Sequence, residues 1–138
     1  MSLHCLIYTS VATRKMTDDD LMAILRKARP HNFALKITGM LLYLDPYFAE
    51  VLEGEEDLVD KEYRRIATDP RHHRISLIYK QPIRERSFSN FTMGFNKTDG
   101  DYLEYTQSLD TIYNSNSFYQ YPNYIVELLE MFKSEKLF

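Results

Sequence analysis

Three residues that lie far apart in the sequence could together support redox or proton-coupled chemistry: Tyr8, Glu50 and Met93. Each is expected on a β-strand, on the sheet face that the two main helices cover. A tyrosine, a carboxyl group and a thioether beside one pocket suit the transfer of an electron or a proton. Taken singly, Tyr8 and Met93 are better explained as core residues, since methionine commonly fills gaps in a core.

Glu50 is harder to explain by packing alone. Residues 36–55 are typical of two apolar strands joined by a turn at 44–47, and strand side chains alternate between the two faces. Glu50 therefore shares a face with Phe48 and Leu52. A carboxyl group there is paired, protonated or exposed, and the sequence leaves these three options open.

A second set of polar residues lies near the ends of the two predicted helices. These are His31 and Asn32 after the first helix, and Arg65, Asp69, Arg71 and His72 around the end of the second. Asparagine and arginine offer fixed forks of hydrogen-bonding groups, which suit a planar heterocycle with alternating carbonyl and N–H groups. Spacing alone favours a simpler explanation for residues 69–73, namely a solvated turn between helix and strand.

Several other kinds of site find no support in the sequence. The adjacent histidines at 72 and 73 diverge, and no His-x-x-x-His or cysteine cluster accompanies them, so no metal site is predicted. Gly39 and Gly54 do not lie in a glycine-rich strand-to-helix turn, as a phosphate loop requires. No Ser-His-Asp or Cys-His arrangement is readable, and we do not expect an enzyme.

Composition narrows the class of protein further. The chain has 138 residues and a net charge of -3, which fits one domain and gives no reason to expect binding to nucleic acid or a membrane surface. No apolar run is long enough to span a bilayer, and no targeting segment opens the chain. The single cysteine, Cys5, excludes an intramolecular disulfide and suits a cytoplasmic location.

The predicted order of elements is β-α-β-β-α-β-β. The strands lie at residues 3–10, within 36–55, at 75–79 and at 91–95; the first helix begins at Thr17 and ends at Pro30, and Asp69 and Pro70 stop the second. This order predicts an α+β, ferredoxin-like sheet with both helices on one face. Apolar positions between 105 and 132 predict two C-terminal helices that cap the far face. We therefore expect a core at 1–98 and a helical extension at 99–138.

Taken in order, these segments resemble the BLUF family of flavin-binding blue-light sensors. The matching segments are dispersed along residues 3–98: LIYTS at 6–10, HN at 31–32, KITGMLLY at 36–43, FAEVLEGE at 48–55, the helix end at Arg65, DPRHH at 69–73, PIRERSF at 82–88 and FTMGF at 91–95. The C-terminal residues resemble the two helices that follow the core in short, stand-alone members.

The resemblance implies that FAD binds with its flavin ring between the two helices. It implies that Tyr8 gives an electron and then a proton to the excited flavin, and that the contacts of Met93 change with the signalling state. The expected cofactor-binding residues are Ile24, His31, Asn32, Arg65, Asp69, Arg71 and His72. The implied partners are other copies of the chain and an unidentified response protein.

Three positions depart from the family pattern. Family members normally have glutamine between the tyrosine and the flavin, where this chain has Glu50. Phe91 stands where tryptophan is frequent, and Lys36 occupies a position usually taken by glycine or another residue. A glutamate can imitate the donor and acceptor ends of the glutamine amide only when it is protonated.

The sequence thus predicts an FAD-binding blue-light photoreceptor that signals through protein contacts. A flavin-binding module of the same fold that no longer responds to light is the main alternative. A small flavin-dependent oxidoreductase and an interaction domain without a cofactor are two further possibilities.

Overall fold

The fold is described from a computed structural model, for residues 2–89 and 92–97. The elements are β1 (Leu3–Ala12), α1 (Asp18–Leu35), β2 (Thr38–Leu44), β3 (Tyr47–Glu55), α2 (Glu56–Ala67), β4 (His72–Pro82) and β5 (Gly94–Lys97). This order confirms the predicted β-α-β-β-α-β-β arrangement. The C-terminal helices predicted within residues 99–138 lie outside the described residues, so that extension stays a prediction.

One five-stranded sheet carries the fold, with the strand order β4-β1-β3-β2-β5. The first four strands pair antiparallel in the ferredoxin-like order, and β5 adds to the edge of β2 in parallel. β1 and β3 are central and buried on both faces, as the apolar character of residues 3–10 predicted. Leu6 and Leu52 belong to the core beneath the helices, whereas Ile7 and Val51 are buried on the far face.

α1 begins as the sequence predicted but continues further. Thr17 caps it, accepting a hydrogen bond from the Asp20 backbone N–H, while the Asp20 side chain accepts one from the Thr17 N–H. The prediction that Pro30 ends the helix is wrong, because α1 runs through Pro30 to Leu35. A proline inside a helix removes one backbone bond. Here the last turn beyond it is closed by a separate cap.

That cap is formed at Lys36, which has the left-handed backbone conformation, φ 55° and ψ 38°. Its N–H donates to the carbonyl groups of Asn32 and Phe33, and the Ile37 N–H also donates to the Asn32 carbonyl. Glycine adopts this conformation without steric cost, whereas Lys36 adopts it with a Cβ atom. His31 and Asn32 therefore lie within the last turns of α1 and not after it.

Two strand boundaries also differ from the prediction. β4 spans 11 residues and begins at His72, so the predicted solvated turn is confined to the residues before it. β5 begins at Gly94, and Met93 precedes this strand instead of lying on it. Phe91, the predicted start of the strand, lies outside the described residues.

A buried carboxyl group on the far face anchors the segment after β4. Glu53 is 1 % exposed and accepts hydrogen bonds from the backbone N–H groups of Ser87 (2.7 Å) and Phe88 (3.0 Å). The Thr38 hydroxyl donates to the same carboxyl group at 3.1 Å. Glu53 thus satisfies the backbone N–H of the buried Phe88 and also binds that of its exposed neighbour Ser87.

No helix in the described part of the chain is long and apolar enough to cross a membrane.

The close packing of β2 against β3 predicts a large difference between two glycine substitutions. A Cβ at Gly39 would lie 1.9 Å from the Val51 carbonyl oxygen, whereas a Cβ at Gly54 would lie 3.3 Å from its nearest neighbours. We expect Gly39→Ala to lower the free energy of unfolding by about 3 kcal/mol and Gly54→Ala by about 1 kcal/mol or less. Urea unfolding measures both, and equal losses would contradict the strand packing.

Candidate functional site

A cavity of about 120 Å³ lies between α1, α2 and the sheet. One water molecule needs about 10–15 Å³ by a comparable measure, so the cavity has room for a much larger group. The sequence-predicted residues that line it are Tyr8, Ile24, Asn32, Glu50, Arg65, Asp69, Arg71, His72 and Met93. His31 is the predicted site residue that does not line it.

Tyr8 and Glu50 face each other across the two central strands at one wall of the cavity. They are directly paired in the antiparallel register of β1 and β3, so their side chains point to the same face. The Tyr8 hydroxyl donates a hydrogen bond of 2.7 Å to Glu50 Oε1. Both side chains are buried, at 3 % and 5 % exposure, which keeps bulk water away from this bond.

The burial of Glu50 determines its charge. Loss of hydration raises the pKa of Glu50 to about 8; the Tyr8 hydrogen bond opposes this effect, and the negative charge of Glu62 adds to it. Glu50 is therefore mainly protonated at neutral pH. A protonated carboxyl group has one acceptor end and one O–H donor end, so Glu50 can accept from Tyr8 and donate to a second group.

Tyr8 also keeps its proton. Burial raises the pKa of Tyr8 well above its usual value, and the neighbouring Glu50 carboxyl raises it further. The Tyr8 ring packs against Tyr63, with ring centres 5.7 Å apart, and stands edge-on to His72 at 6.2 Å. The phenol is thus held in one orientation by rings on two sides and a hydrogen bond at its end.

A second buried carboxyl group, Glu62, lines the same cavity in the opposite protonation state. Burial alone would raise its pKa, but hydrogen bonds from Arg65 and His31 outweigh that effect and lower it. His31 Nε2 donates to Glu62 Oε2 at 2.7 Å, and Arg65 forms an ion pair with Glu62 Oε1. Glu62 on α2 therefore binds His31 on α1, which connects the two helices beside the cavity.

The residues after α2 form a second polar edge. The Arg71 backbone N–H and guanidinium both donate to Asp69, and these bonds lower the pKa of Asp69 to about 2. His72 Nε2 lies 2.8 Å from the Ile66 carbonyl oxygen and Nδ1 lies 2.8 Å from Ser10 Oγ. Because a carbonyl only accepts, Nε2 carries a proton, and the His72 ring is fixed between α2 and β1.

Asn32 has an incomplete set of hydrogen bonds at the cavity. Its Nδ2 donates to the Thr92 carbonyl at 2.8 Å. Its Oδ1 is buried without a hydrogen-bond partner, a state shared within the described residues only by Thr9 Oγ1. A buried amide oxygen without a donor is unfavourable, so this atom marks a place where a ligand N–H group would be accepted.

Several residues that line the cavity were not identified from the sequence. These are Lys27, Ala28, Leu41, Phe48, Leu52, Glu62 and Ile66. Leu41, Phe48 and Leu52 follow from strand alternation, because they share the face of Glu50. Glu62 had a local signal, since it lies one turn before Arg65 on the same helix, but its contact with His31 depends on how α1 and α2 pack.

The protonation of Glu50 predicts how stability depends on pH. Folded Glu50 keeps its proton up to a pKa of about 8, whereas the carboxyl group ionises near 4.5 when unperturbed. Between these values unfolding releases a proton, so rising pH destabilises the wild type by about 1.4 kcal/mol per pH unit relative to Glu50→Gln. Asp69 does not interfere, because its stabilising charge is lost only in acid, toward its pKa of about 2.

Urea unfolding of the two proteins without added ligand, at several values between about pH 5 and pH 8, checks this prediction. Curves that stay parallel over that range would mean that Glu50 is ionised in the folded protein.

Comparison with known proteins agrees with this architecture. Residues 3–94 match the BLUF family model, described as "Sensors of blue-light using FAD". The photoactivated adenylate cyclase subunit beta of Euglena longa is 42 % identical over 87 residues, which cover 63 % of this chain and 10 % of that protein. The chain thus spans about a tenth of the length of this relative.

Solved structures give a similar result. The dark-state structure of "BlrB - a BLUF protein" is 28 % identical, has a TM-score of 0.75 and covers 94 % of each chain. Klebsiella pneumoniae BlrP1 with FMN and cyclic diGMP is also 28 % identical, with a TM-score of 0.65 over 91 % of this chain and 35 % of BlrP1. Together with the family match over two thirds of the sequence, these likenesses show that the chain belongs to the BLUF family of FAD-using blue-light sensors.

Proposed function

We propose that this chain binds the flavin ring of FAD in the cavity between α1 and α2 and uses Tyr8 and Glu50 as a light-driven hydrogen-bond switch. The observation that carries the proposal is the 2.7 Å hydrogen bond from Tyr8 to a buried Glu50 that is mainly protonated at neutral pH. The polar residues around the same cavity support the choice of ligand.

The donors and acceptors of the cavity fit the edge of a flavin ring, which alternates carbonyl and N–H groups. Asn32 Oδ1 is a buried acceptor without a donor, as a ring N–H requires. Arg65 and Arg71 bring N–H donors for ring carbonyl groups, and Asp69 and His72 complete this polar edge. Ile24 gives an apolar wall on α1. His31 acts indirectly, by holding Glu62 beside Arg65.

Glu50 can replace the usual glutamine because it is neutral. A glutamine amide offers an oxygen acceptor at one end and an N–H donor at the other, and a protonated carboxyl group offers an oxygen acceptor and an O–H donor. In the dark, Glu50 Oε1 accepts from Tyr8, and the proton on Oε2 is available to a group in the cavity. An ionised Glu50 would have acceptors alone and would lose this second function.

FAD, when bound and excited by blue light, would supply a one-electron acceptor. Tyr8 would lose one electron, and its phenolic proton, made strongly acidic, would move along the hydrogen bond to Glu50 Oε1. Glu50 would pass the proton on Oε2 to the flavin, so that the electron and a proton reach the same acceptor and the charge of Glu50 does not change. The electron and the proton would return by the same path and restore Tyr8. Rotation of the Glu50 carboxyl group during this cycle would leave its O–H end toward Tyr8 and its carbonyl end toward the cavity, and this exchange of donor and acceptor ends is the proposed switch.

The output of the switch is proposed to be a change in contacts with other copies of the chain or with a response protein. The relatives named as photoactivated adenylate cyclase subunits are about ten times longer than the region that matches this chain, so their cyclase activity is not carried over to it. We propose that this chain itself acts as a sensor without catalysis. The BlrP1 structure holds FMN, so we expect the flavin ring to be the part of FAD that the cavity residues recognise.

The first test is the pH dependence of the light response in the FAD-loaded protein. We expect flavin absorption bands with a small, reversible red shift under blue light, whose amplitude falls about tenfold between pH 7 and pH 9 as Glu50 ionises around its pKa of about 8. Glu50→Gln should keep the red shift without this pH dependence. Light-minus-dark difference spectra across this range measure both proteins.

Two other outcomes would contradict different parts of the proposal. A wild type that binds flavin but never shifts, beside a Glu50→Gln variant that does, would make this chain the light-insensitive module. A protein that stays colourless after FAD is added would contradict the cofactor proposal itself.

The proposed role of Tyr8 has a separate test. Tyr8→Phe keeps the ring and removes the hydroxyl that donates to Glu50, so the electron and proton donor is lost. We expect the flavin excited state to live several-fold longer and the reversible red shift to disappear. Time-resolved flavin fluorescence measures the lifetime, and Tyr63→Phe on the neighbouring ring is the matched control. Equal lifetimes in Tyr8→Phe and wild type would exclude Tyr8 as the donor.

A further inference from the structure

Two side chains of α1 hold the backbone just before β5. Arg29 Nε donates to the Met93 carbonyl at 2.9 Å, and Asn32 Nδ2 donates to the Thr92 carbonyl at 2.8 Å. Arg29 and Asn32 are three residues apart and therefore lie on one face of the helix. The carbonyl groups of two successive residues, 92 and 93, are thus bound by two donors on the same helix.

The same two hydrogen bonds also hold a residue that lines the cavity. Met93 lines the cavity and is 2 % exposed, and it lies just before β5 instead of in it. The hydrogen bonds from α1 to the carbonyl groups of residues 92 and 93 therefore help to set its backbone position. Arg29 supplies a charged N–H group to the Met93 carbonyl, and hydrogen bonds that involve a charged group are stronger than neutral ones.

We propose that Arg29 is a positioning residue: it fixes the backbone at Met93 against α1 and thereby sets where the Met93 side chain stands in the cavity. Asn32 is the second half of the same clamp and also connects it to the ligand. One end of its amide holds Thr92, and the other end is the buried Oδ1 that lacks a donor. A ligand N–H at Oδ1 would fix the amide plane and so tighten its hold on Thr92.

The clamp extends to the edge of the sheet. Gly94, the residue that follows Met93, pairs with Met40 at the start of the parallel β2–β5 contact. Releasing the Met93 carbonyl therefore frees the end of a strand of only four residues, which lies at the sheet edge. Loss of Arg29 should loosen β5 while the central strands stay closed.

The test compares Arg29→Ala with Arg26→Ala, which removes an exposed arginine from the same helix. Amide hydrogen exchange is measured on both variants and wild type without added flavin, so this part does not depend on the proposed function. We expect exchange of the amides at 94–97 to rise at least about tenfold in Arg29→Ala alone, with the β1 amides at 6–8 unchanged. Arg29→Lys, which keeps a charged donor, should restore part of the protection.

The role at the site, which does rest on the proposed function, is measured in the FAD-loaded proteins by the ¹³C-methyl resonance of Met93. Met93→Leu assigns that resonance. We expect it to move or broaden in Arg29→Ala and to stay in place in Arg26→Ala, because only the loss of Arg29 would let the methyl group leave its position in the cavity.

Either of two results would overturn the positioning role. One is exchange at 94–97 that is the same in Arg29→Ala and Arg26→Ala. The other is an equal rise at 94–97 and in β1, which would make Arg29 a contributor to global stability only. If the exchange result holds but none of the proteins binds FAD, the clamp stands and the proposed function fails.

Discussion

Glu50 is buried where water cannot stabilise a negative charge. This constraint determines how the polar residues around the cavity are arranged. Because the carboxyl group stays protonated, it can pair with the Tyr8 phenol across β1 and β3 without a counterion. Glu62, in the same cavity, accepts hydrogen bonds from Arg65 and His31 and is held ionised. Two carboxyl groups with opposite protonation states are a common basis for proton transfer in a single site.

The sheet and the helices contribute different chemistry to the site. The central strands provide the tyrosine and the neutral acid in an apolar layer, where a proton has few alternative acceptors. The two helices and the turn after α2 provide the charges, each balanced by a neighbour: Glu62 with Arg65, and Asp69 with Arg71. This division keeps the charged groups at the edge of the cavity and leaves the Tyr8 phenol buried away from water, where its hydrogen bond is strong.

Local patterns predicted much of this arrangement from the sequence. Strand alternation placed Tyr8 and Glu50 on the helix-covered face, and the capping box at Thr17 fixed the start of α1. The prediction that α1 ends at Pro30 was wrong because it used a local rule about helix ends. That rule takes no account of the cap at Lys36 or of the tertiary contacts of the last turn. The contact of Arg29 with Met93 and that of Glu62 with His31 were not predictable, since each joins residues more than 30 positions apart in the chain.

The two buried carboxyl groups of β3 also determine how this strand aligns with its neighbours. Apolar residues occupy both of its faces, so hydrophobic patterning alone would accept a shift by one residue, which turns every side chain to the opposite face. Such a shift would remove Glu50 from Tyr8 and would withdraw Glu53 from the N–H groups of Ser87 and Phe88. Each acid would then be buried without its donors, on the wrong side of the sheet. The correct alignment of the central strand is thus selected by its least hydrophobic residues.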